Sequence, residues 1–419
     1  MKRRGLGENS LWALGGDGAS KLAAFAVVLL SARLLSVGEF AVLATGLAAA
    51  GLLASLLDFG AGTLLVRDGT PGPSERGALF RGLLEARAPL ALVVLVVAPF
   101  VGLLLGRPVT ALAVTALGLL GAVALSVLAL YRSCQDVRPE AIQKLCAAAI
   151  SVAVTAVVCV VVPSADALLV ALVVVALATL APLVHLAPRV ADFGGRVGRR
   201  NAFRRAAPIG LLALATVAYY RSGTIALAAL AGSNETAAFG VAASIAFGML
   251  MVPNAVTTAL LPRLSAERDL QGVVACTRRT LAWTLVVAVL LSAAAAVVVP
   301  VGLPFALGGE YAAAGTPFAL LCVGVPFIAA SGVIGTALLS VGKLRPLGAQ
   351  VAASLAVNLV VLAVLVPFLG AIGAALATVA CETVGLVLLA YAAHRALPGL
   401  IAVHHPTIGR RVETSRAAT

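Results

Sequence analysis

Apolar runs rich in Ala, Leu and Val alternate with short polar and basic stretches along the whole chain. Each run holds about 20 residues or more, the length that a helix needs to cross a hydrocarbon core of about 30 Å. A transmembrane barrel would instead show segments of about ten residues with alternating polarity, and the sequence shows no such alternation. The pattern predicts twelve membrane-spanning helices, near residues 10–35, 40–66, 79–105, 109–131, 141–162, 166–187, 208–231, 237–262, 279–306, 313–341, 346–367 and 371–394.

The composition narrows the class of protein further. Of 419 residues, 61% are hydrophobic and 11% are charged, whereas a soluble domain has about 45–50% apolar and about 25% charged residues. These values exclude a water-soluble globule, a disordered chain, a collagen-like fibre and a small disulfide scaffold. The six cysteines are scattered without a metal-ligand spacing. We therefore expect an all-α polytopic membrane protein.

The distribution of basic residues predicts the orientation of the helices. The formal net charge is +13, with 30 Lys and Arg against 17 Asp and Glu. Of these cations, Arg107 alone falls in the loops on one side, three fall inside spans, and the rest fall on the other side with both termini. Under the positive-inside rule this side is cytoplasmic. The basic residues are thus topogenic, and we expect no nucleic-acid partner.

Landmarks in the first half of the chain recur in the second half. Glu39 follows the first span and Glu235 follows the seventh, and Arg67 and Arg263 end the second and eighth spans at the same spacing. Two six-helix units with an even number of spans enter the membrane in the same direction, as in parallel repeats. We predict an N-terminal lobe at 1–193, a second lobe at 194–395 and a cytoplasmic tail at 396–419. Two such lobes can rock about a central cleft, which is typical of a transporter.

Five segments together resemble a known superfamily of transporters. Each is weak alone, but they occur in order on the predicted spans: residues 33–40, 57–60, 252–254, 308–311 and 370–375. They are similar to the multidrug/oligosaccharidyl-lipid/polysaccharide exporter superfamily, and within it to the polysaccharide (O-antigen-type) flippases. The resemblance implies two six-helix lobes around a central cavity and transport by alternating access. The peptidoglycan-precursor flippases usually carry two more spans, which argues against that branch.

The resemblance implies a function and leaves an alternative open. A flippase of this type moves a lipid-diphosphate-linked oligosaccharide from the cytoplasmic to the outer leaflet of a bacterial cell membrane, for polysaccharide and lipopolysaccharide biosynthesis. Its partners are the bilayer, the lipid-linked oligosaccharide and, in the same process, a polysaccharide polymerase or glycosyltransferases. The alternative is a cation-coupled multidrug antiporter of the same fold, and a non-transporting membrane scaffold is a third. The sequence shows no catalytic constellation and no phosphate-binding Gly-rich loop, so we expect neither an enzyme nor a cofactor.

Ionisable residues within spans are the candidate binding groups, because a charge at mid-membrane normally faces a partner or a wet cavity. Arg221 lies near the middle of the seventh span, and its forked donors suit phosphate oxygens. Lys21 lies in the first span, four residues from Asp17, so the two can form an ion pair. The pair could be structural, or Lys21 could meet a diphosphate while Asp17 tunes it. Arg33 could snorkel to the outer interface, and the ring of Tyr220 could stack on a sugar or a drug.

Two acids within spans are candidates for coupling transport to a cation. Asp58 lies in the second span, where it could instead cap a kinked helix together with Arg67. Glu382 lies at mid-depth in the twelfth span, as a buried protonated acid or a coupling site. Glu85 and Arg87, near the inner start of the third span, are expected to be solvated. The spans thus hold three cations and three acids, which does not decide between an anionic and a cationic substrate.

Overall fold

The computed structural model of the chain describes residues 6–68, 72–134, 136–195, 197–267, 269–398 and 400. Most of the predicted tail at 396–419 therefore lies outside the described residues. The described chain is helical, with short 3-10 segments at Ala187–Arg189 and Gly309–Ala314. The α-helices are α1 Leu6–Leu34, α2 Val37–Asp58, α3 Ala61–Asp68, α4 Pro73–Leu104, α5 Pro108–Ser133, α6 Arg138–Val161, α7 Ala165–Leu186, α8 Arg199–Leu230, α9 Ser233–Met249, α10 Met251–Ala266, α11 Leu270–Leu307, α12 Gly315–Ser340 and α13 Leu344–Ala396.

These helices confirm the twelve-span polytopic fold. Ten helical segments of the described chain are long and apolar enough to cross a membrane. Helix α1 is not among them, because Asp17 and Lys21 lower the hydropathy of its apolar run. Helix α13 has 53 residues, about twice the length of one span. Its backbone is non-helical at Gly370, where φ is 52° and ψ is −129°, so it comprises two spans.

Two further predicted spans are broken helices. The second span divides into α2 and α3 because Phe59 adopts a left-handed conformation, with φ 42° and ψ 44°. The eighth divides into α9 and α10 at Leu250. Pro253 lacks an N–H and its ring crowds the carbonyl of Met249 four residues earlier, which accounts for the second break.

The same capping contact occurs in both halves of the chain. The backbone N–H of Ala165, at the start of α7, donates to Glu39 Oε2 at 2.6 Å. In the second half the N–H of Ala371 donates to Glu235 Oε2 at 2.7 Å. Each carboxylate thus lies at the positive N-terminal end of a helix, where a negative charge is stabilised. The two glutamates that mark the sequence repeat perform the same structural task.

The two halves pack tightly at the end of the molecule that the charge distribution assigns to the outside. One hydrophobic cluster there contains Phe40 of α2, Ala237 and Val241 of α9, and Leu303 of α11. Tyr311 belongs to it as well, with its ring edge-on to Phe40 at 6.0 Å. This apolar packing closes the space between the halves on that side.

At the opposite end of the molecule the halves meet mainly through α8. The first part of α8 packs against α2, α3 and α4. A Cβ atom on Gly60 would lie 2.5 Å from the backbone N of Gly210, so only glycines allow these backbones to approach so closely. Beside them the rings of Phe59 and Phe203 stack at 5.3 Å.

Candidate functional site

The candidate site lies between the two halves, at the depth where α9 breaks into α10. It is built by side chains of α1 and α2 from the first half and of α8 and α9 from the second.

Arg221 lies on α8, about two and a half turns before its outer end. Its guanidinium is against α2: a Cβ atom on Gly51 would lie 3.4 Å from Nε and 3.6 Å from Nη2. The side chain is exposed to solvent. Among the described residues no carboxylate or carbonyl makes an ion pair or a hydrogen bond with it. Arg221 thus presents a free cation at the contact between α8 and α2.

Lys21 lies on the face of α1 that looks towards the second half. Residues four apart share a helix face, and Phe25, one turn further out, lies 3.9 Å from a Cβ atom built on Gly248 of α9. Lys21 is exposed, and within the described ranges it makes no ion pair. Lys21 is therefore a second unpaired cation, one helical turn from the contact that Phe25 makes with the second half.

Aromatic rings connect α8 to α9 beside these cations. The rings of Tyr219 and Tyr220 lie 4.6 Å apart, and Tyr220 is edge-on to Phe247 at 5.5 Å. Phe247 precedes Gly248, which Phe25 approaches from the other half. The ring of Tyr220 is half-buried in this packing, so it forms part of the wall rather than a free stacking surface.

The predicted ion pair between Asp17 and Lys21 is wrong. Asp17 instead makes an ion pair with Lys144 of α6 at 2.5 Å. Lys144 also contacts Glu140 at 2.5 Å, and Arg132 pairs with Glu140 in turn. Helix α1 packs along α6, which brings a better-placed cation to Asp17 than its neighbour four residues away. Asp17 therefore does not tune Lys21, which is left unpaired.

Asp58 is a buried structural acid, as its position before a kink indicated, but its predicted partner is wrong. Both carboxylate oxygens accept from the N–H of Gly62 at 3.2 Å, so Asp58 caps α3 across the break. Its ion pair is with Arg87 at 3.3 Å, and Ser126 donates a further hydrogen bond at 3.1 Å. Arg67 pairs with Asp68 instead.

The expectation that Glu85 and Arg87 are both solvated is therefore only half right. Arg87 is nearly buried, with 11% of its side chain exposed, because it reaches inward to Asp58. Glu85 is 48% exposed and contacts Arg81 at the surface of α4.

Glu382 is buried between α8 and α13. The hydroxyl of Tyr219 donates a hydrogen bond to its Oε1. Ser222 donates to Asn358 Oδ1 at 2.6 Å nearby, so this interface contains a small polar network inside the second half. The network does not reach Arg221 or Lys21. The coupling roles of Asp58 and Glu382 stay predictions.

Arg33 lies at the outer end of α1, as expected, but it faces the second half. Its Nη1 is 3.8 Å from a Cβ atom built on Gly308, which follows α11. Arg33 is exposed and is placed at the outer closure, away from Lys21 and Arg221.

Sequence reasoning did not assign a binding role to one polar surface on α10. Asn254 and Thr258 lie one turn apart on the exposed face of α10, which begins directly after the break at Leu250. Asn254 belongs to the segment 252–254 noted in the sequence, and the helical spacing of the two polar residues in an apolar span is the signal that joins Thr258 to it. No group of three His, Cys, Asp or Glu side chains that could hold a metal ion was found in the part of the chain that the structure describes.

Comparison with known proteins assigns the family and the fold. The family model described as "Polysaccharide biosynthesis protein" matches residues 6–266. No curated protein matches the sequence.

Solved transporters share the fold at low sequence identity. The lipid II flippase MurJ, in an inward closed conformation, is 12% identical with a TM-score of 0.72, covering 91% of this chain and 87% of MurJ. The MATE multidrug transporter DinF-BH is 16% identical with a TM-score of 0.66, covering 93% and 94%. The Vibrio cholerae MATE transporter VcmN is 14% identical with a TM-score of 0.59, covering 93% and 96%. The chain thus belongs to the polysaccharide biosynthesis protein family, and it is a polytopic helical membrane protein that shares its fold with MurJ and the MATE transporters.

Proposed function

We propose that the protein is a flippase that moves an anionic, lipid-diphosphate-linked oligosaccharide from the cytoplasmic to the outer leaflet by alternating access. The observation that carries this proposal is the charge left over between the halves. Asp17, Asp58 and Glu382 each contact a cation or a hydroxyl donor, whereas Lys21 and Arg221 have no such partner among the described residues. The sequence places three cations and three acids within the spans, which does not favour either sign of charge. The two charges left without a partner in the described chain, on Lys21 and Arg221, are both positive.

An unpaired positive charge suits a diphosphate better than a cationic drug. Phosphate oxygens accept charge-assisted hydrogen bonds from a guanidinium or an ammonium group, and these bonds are stronger than neutral ones. A cationic drug would require an unpaired acid at this depth, and the described walls of the gap offer none. The charge therefore favours the flippase over the multidrug antiporter.

The closed outer end and the exposed Lys21 support uptake from the cytoplasmic leaflet. The apolar cluster around Phe40 and Tyr311 blocks the outer side, while Lys21 is exposed near the middle of α1. We infer that the head group enters from the inner side, and that the break at Leu250 allows α10 to move against α9 during transport.

Substitution of Arg221 tests the proposal. Purified protein in proteoliposomes is given a polyprenyl-diphosphate-linked oligosaccharide, and its transfer between leaflets is measured with a sugar-modifying reagent added outside. Arg221→Ala should abolish the transfer while insertion and thermal stability are retained. Arg221→Lys should recover part of it, because lysine keeps the charge but loses the fork. Normal transfer by Arg221→Ala would refute the assignment.

Lys21 provides a second, independent variant. Lys21→Gln should reduce transfer without changing thermal stability, because Lys21 has no ion-pair partner in the described chain. Lys144→Gln is the matched control, since Lys144 holds Asp17 and Glu140 and its loss should lower stability. Equal transfer rates for Lys21→Gln and the wild type would remove Lys21 from the site.

A further inference from the structure

A groove outside the central site runs along the second half between α10 and α11. It has a volume of about 720 Å³ and is floored by Val325 of α12, within the 300–1,000 Å³ range typical of ligand sites. Its walls are apolar along most of their length, and Trp283, Val287 and Leu291 of α11 follow one another along one wall at helical spacing. Trp283 is 65% exposed, so the groove opens to the side of the molecule.

The inner mouth of the groove is basic. Arg263 lies in the last turn of α10, and Arg279 lies at the inner end of the apolar part of α11. Both are exposed, and in the described ranges neither has an ion-pair partner. Glu267 also lines the mouth, which leaves one net positive charge there. Two arginines and an interfacial tryptophan thus lie where phospholipid head groups meet the hydrocarbon core.

The length of the groove matches one leaflet. From Arg279 to Leu291 the helix rises about 18 Å, and half of a hydrocarbon core of about 30 Å is about 15 Å. A phosphate at the two arginines would therefore place an acyl chain along the apolar wall. Basic pockets between transmembrane helices on the cytoplasmic side are a known mode of binding anionic lipid head groups.

We propose that this groove binds an anionic phospholipid of the cytoplasmic leaflet, with its phosphate between Arg263 and Arg279 and an acyl chain beside Trp283. The site is separate from Arg221 and Lys21, so the inference does not depend on the cargo assigned to the central site. It gives the second lobe a preference for anionic over zwitterionic lipid at one defined place.

Tryptophan quenching by brominated lipid tests the inference. The chain has two tryptophans, so Trp12→Phe leaves Trp283 as the only source of tryptophan fluorescence. The protein is reconstituted in phosphatidylcholine vesicles to which a brominated lipid is added. This lipid is either brominated phosphatidylglycerol or brominated phosphatidylcholine. Brominated phosphatidylglycerol should quench Trp283 at a lower mole fraction, with a preference of about fivefold per arginine.

Two variants identify the groove as the source of this preference. Arg263→Gln combined with Arg279→Gln should make the two brominated lipids quench equally, while quenching by phosphatidylcholine itself stays unchanged and shows that Trp283 still faces lipid. Arg345→Gln removes an exposed cation on the same side outside the groove and should keep the preference.

Three results would overturn the inference. The first is equal quenching by both lipids in the protein with native arginines, and the second is loss of the preference in Arg345→Gln as well. The third is displacement of brominated phosphatidylglycerol by unbrominated polyprenyl phosphate at a much lower mole fraction than by unbrominated phosphatidylglycerol. That result would assign the groove to the lipid carrier of the cargo instead.

Discussion

The acids within the spans have ion-pair or hydrogen-bond partners, whereas Arg221 and Lys21 have none among the described residues. Burying an ionisable side chain at mid-bilayer costs about 2.5–3.5 kcal/mol on insertion scales. Asp58 offsets this cost with Arg87, a helix N-terminus and Ser126. Arg221 has no comparable partner in the described chain, so it requires water or an anion in the gap. This difference is the reason to assign the cations, and not the acids, to the substrate.

Gly51 lies directly against the Arg221 guanidinium. A Cβ atom there would be in ordinary contact with Nε at 3.4 Å, so Gly51→Ala should keep transport close to the wild-type rate. Gly51→Leu adds three more carbons into the space that the guanidinium occupies and should reduce transport as strongly as Arg221→Ala. The measurement is leaflet-to-leaflet transfer in proteoliposomes at matched protein content. Full activity of Gly51→Leu would show that the observed position of Arg221 is not the functional one.

Asp58 and Arg87 form a buried pair, and removing one member should leave the other charge uncompensated. We expect Arg87→Gln to lower the free energy of unfolding by about 3–5 kcal/mol, seen as a lower thermal midpoint in detergent. Glu85→Gln, on the same helix but 48% exposed, should change it little, since surface ion pairs contribute about 0–1 kcal/mol. Equal stability of the two variants would contradict a structural role for Asp58.

At the level of helices, the backbone departs from helical geometry at three places, within two spans and between two others. The turn at Gly370 is the sharpest, because φ of 52° with ψ of −129° is accessible essentially only to glycine. A Cβ atom there would also lie 2.3 Å from Glu235 Oε2, the atom that caps Ala371. The turn and the cap thus require glycine at this position.

Gly370→Ala should therefore destabilise the protein by about 1–3 kcal/mol, measured as a shift of the thermal midpoint. Gly348→Ala is the matched control on the same helix. Gly348 is helical and has no neighbouring atom within 4 Å of an added Cβ. Alanine at this position should therefore stabilise the protein slightly, by up to about 1 kcal/mol. A neutral Gly370→Ala would show that this turn is not strained in the native protein.

The helices could be predicted from the sequence, whereas most side-chain partners could not. Twelve apolar runs locate the spans because span length is set by the thickness of the bilayer. The pairing of Asp17 with Lys144 joins residues far apart in sequence, and the local spacing favoured Lys21 instead. The partner of Asp58 was missed for the same reason, since Arg87 lies on the next helix. Helical periodicity reports which residues share a face, but not which helix packs against that face.

At the level of the whole molecule, an ion pair helps to hold the halves together at the end opposite the Phe40 cluster. Asp68 of α3 accepts from Arg205 of α8 at 2.6 Å and from Arg67 of its own helix. The hydrogen bond from Arg67 holds the pKa of the Asp68 carboxyl below its ordinary value of 3.8. The Asp68 carboxyl therefore stays ionised at pH values above 3.8. The ion pair is lost only as pH falls through the lowered pKa of Asp68.

Removing the contact between the halves should widen the cytoplasmic side. Spin labels at Ser74 and Lys343, on the inner ends of the two halves, report their separation by pulsed electron paramagnetic resonance. Arg205→Gln should broaden the distance distribution towards longer values, whereas Arg67→Gln, which leaves the Arg205 contact, should not. In the wild type the distribution should stay unchanged as pH falls from neutral towards 3.8. An identical response of both variants would show that this ion pair does not join the halves.

The most direct test of the account offers two cargoes to the same protein. Proteoliposomes are loaded in parallel with a polyprenyl-diphosphate-linked oligosaccharide and with a cationic dye, under an imposed cation gradient. The unpaired charges of Lys21 and Arg221 predict rapid transfer of the glycan lipid, loss of that transfer in the double variant Lys21→Gln and Arg221→Ala, and no gradient-driven efflux of the dye. Efflux of the dye without any transfer of the glycan lipid would contradict the account.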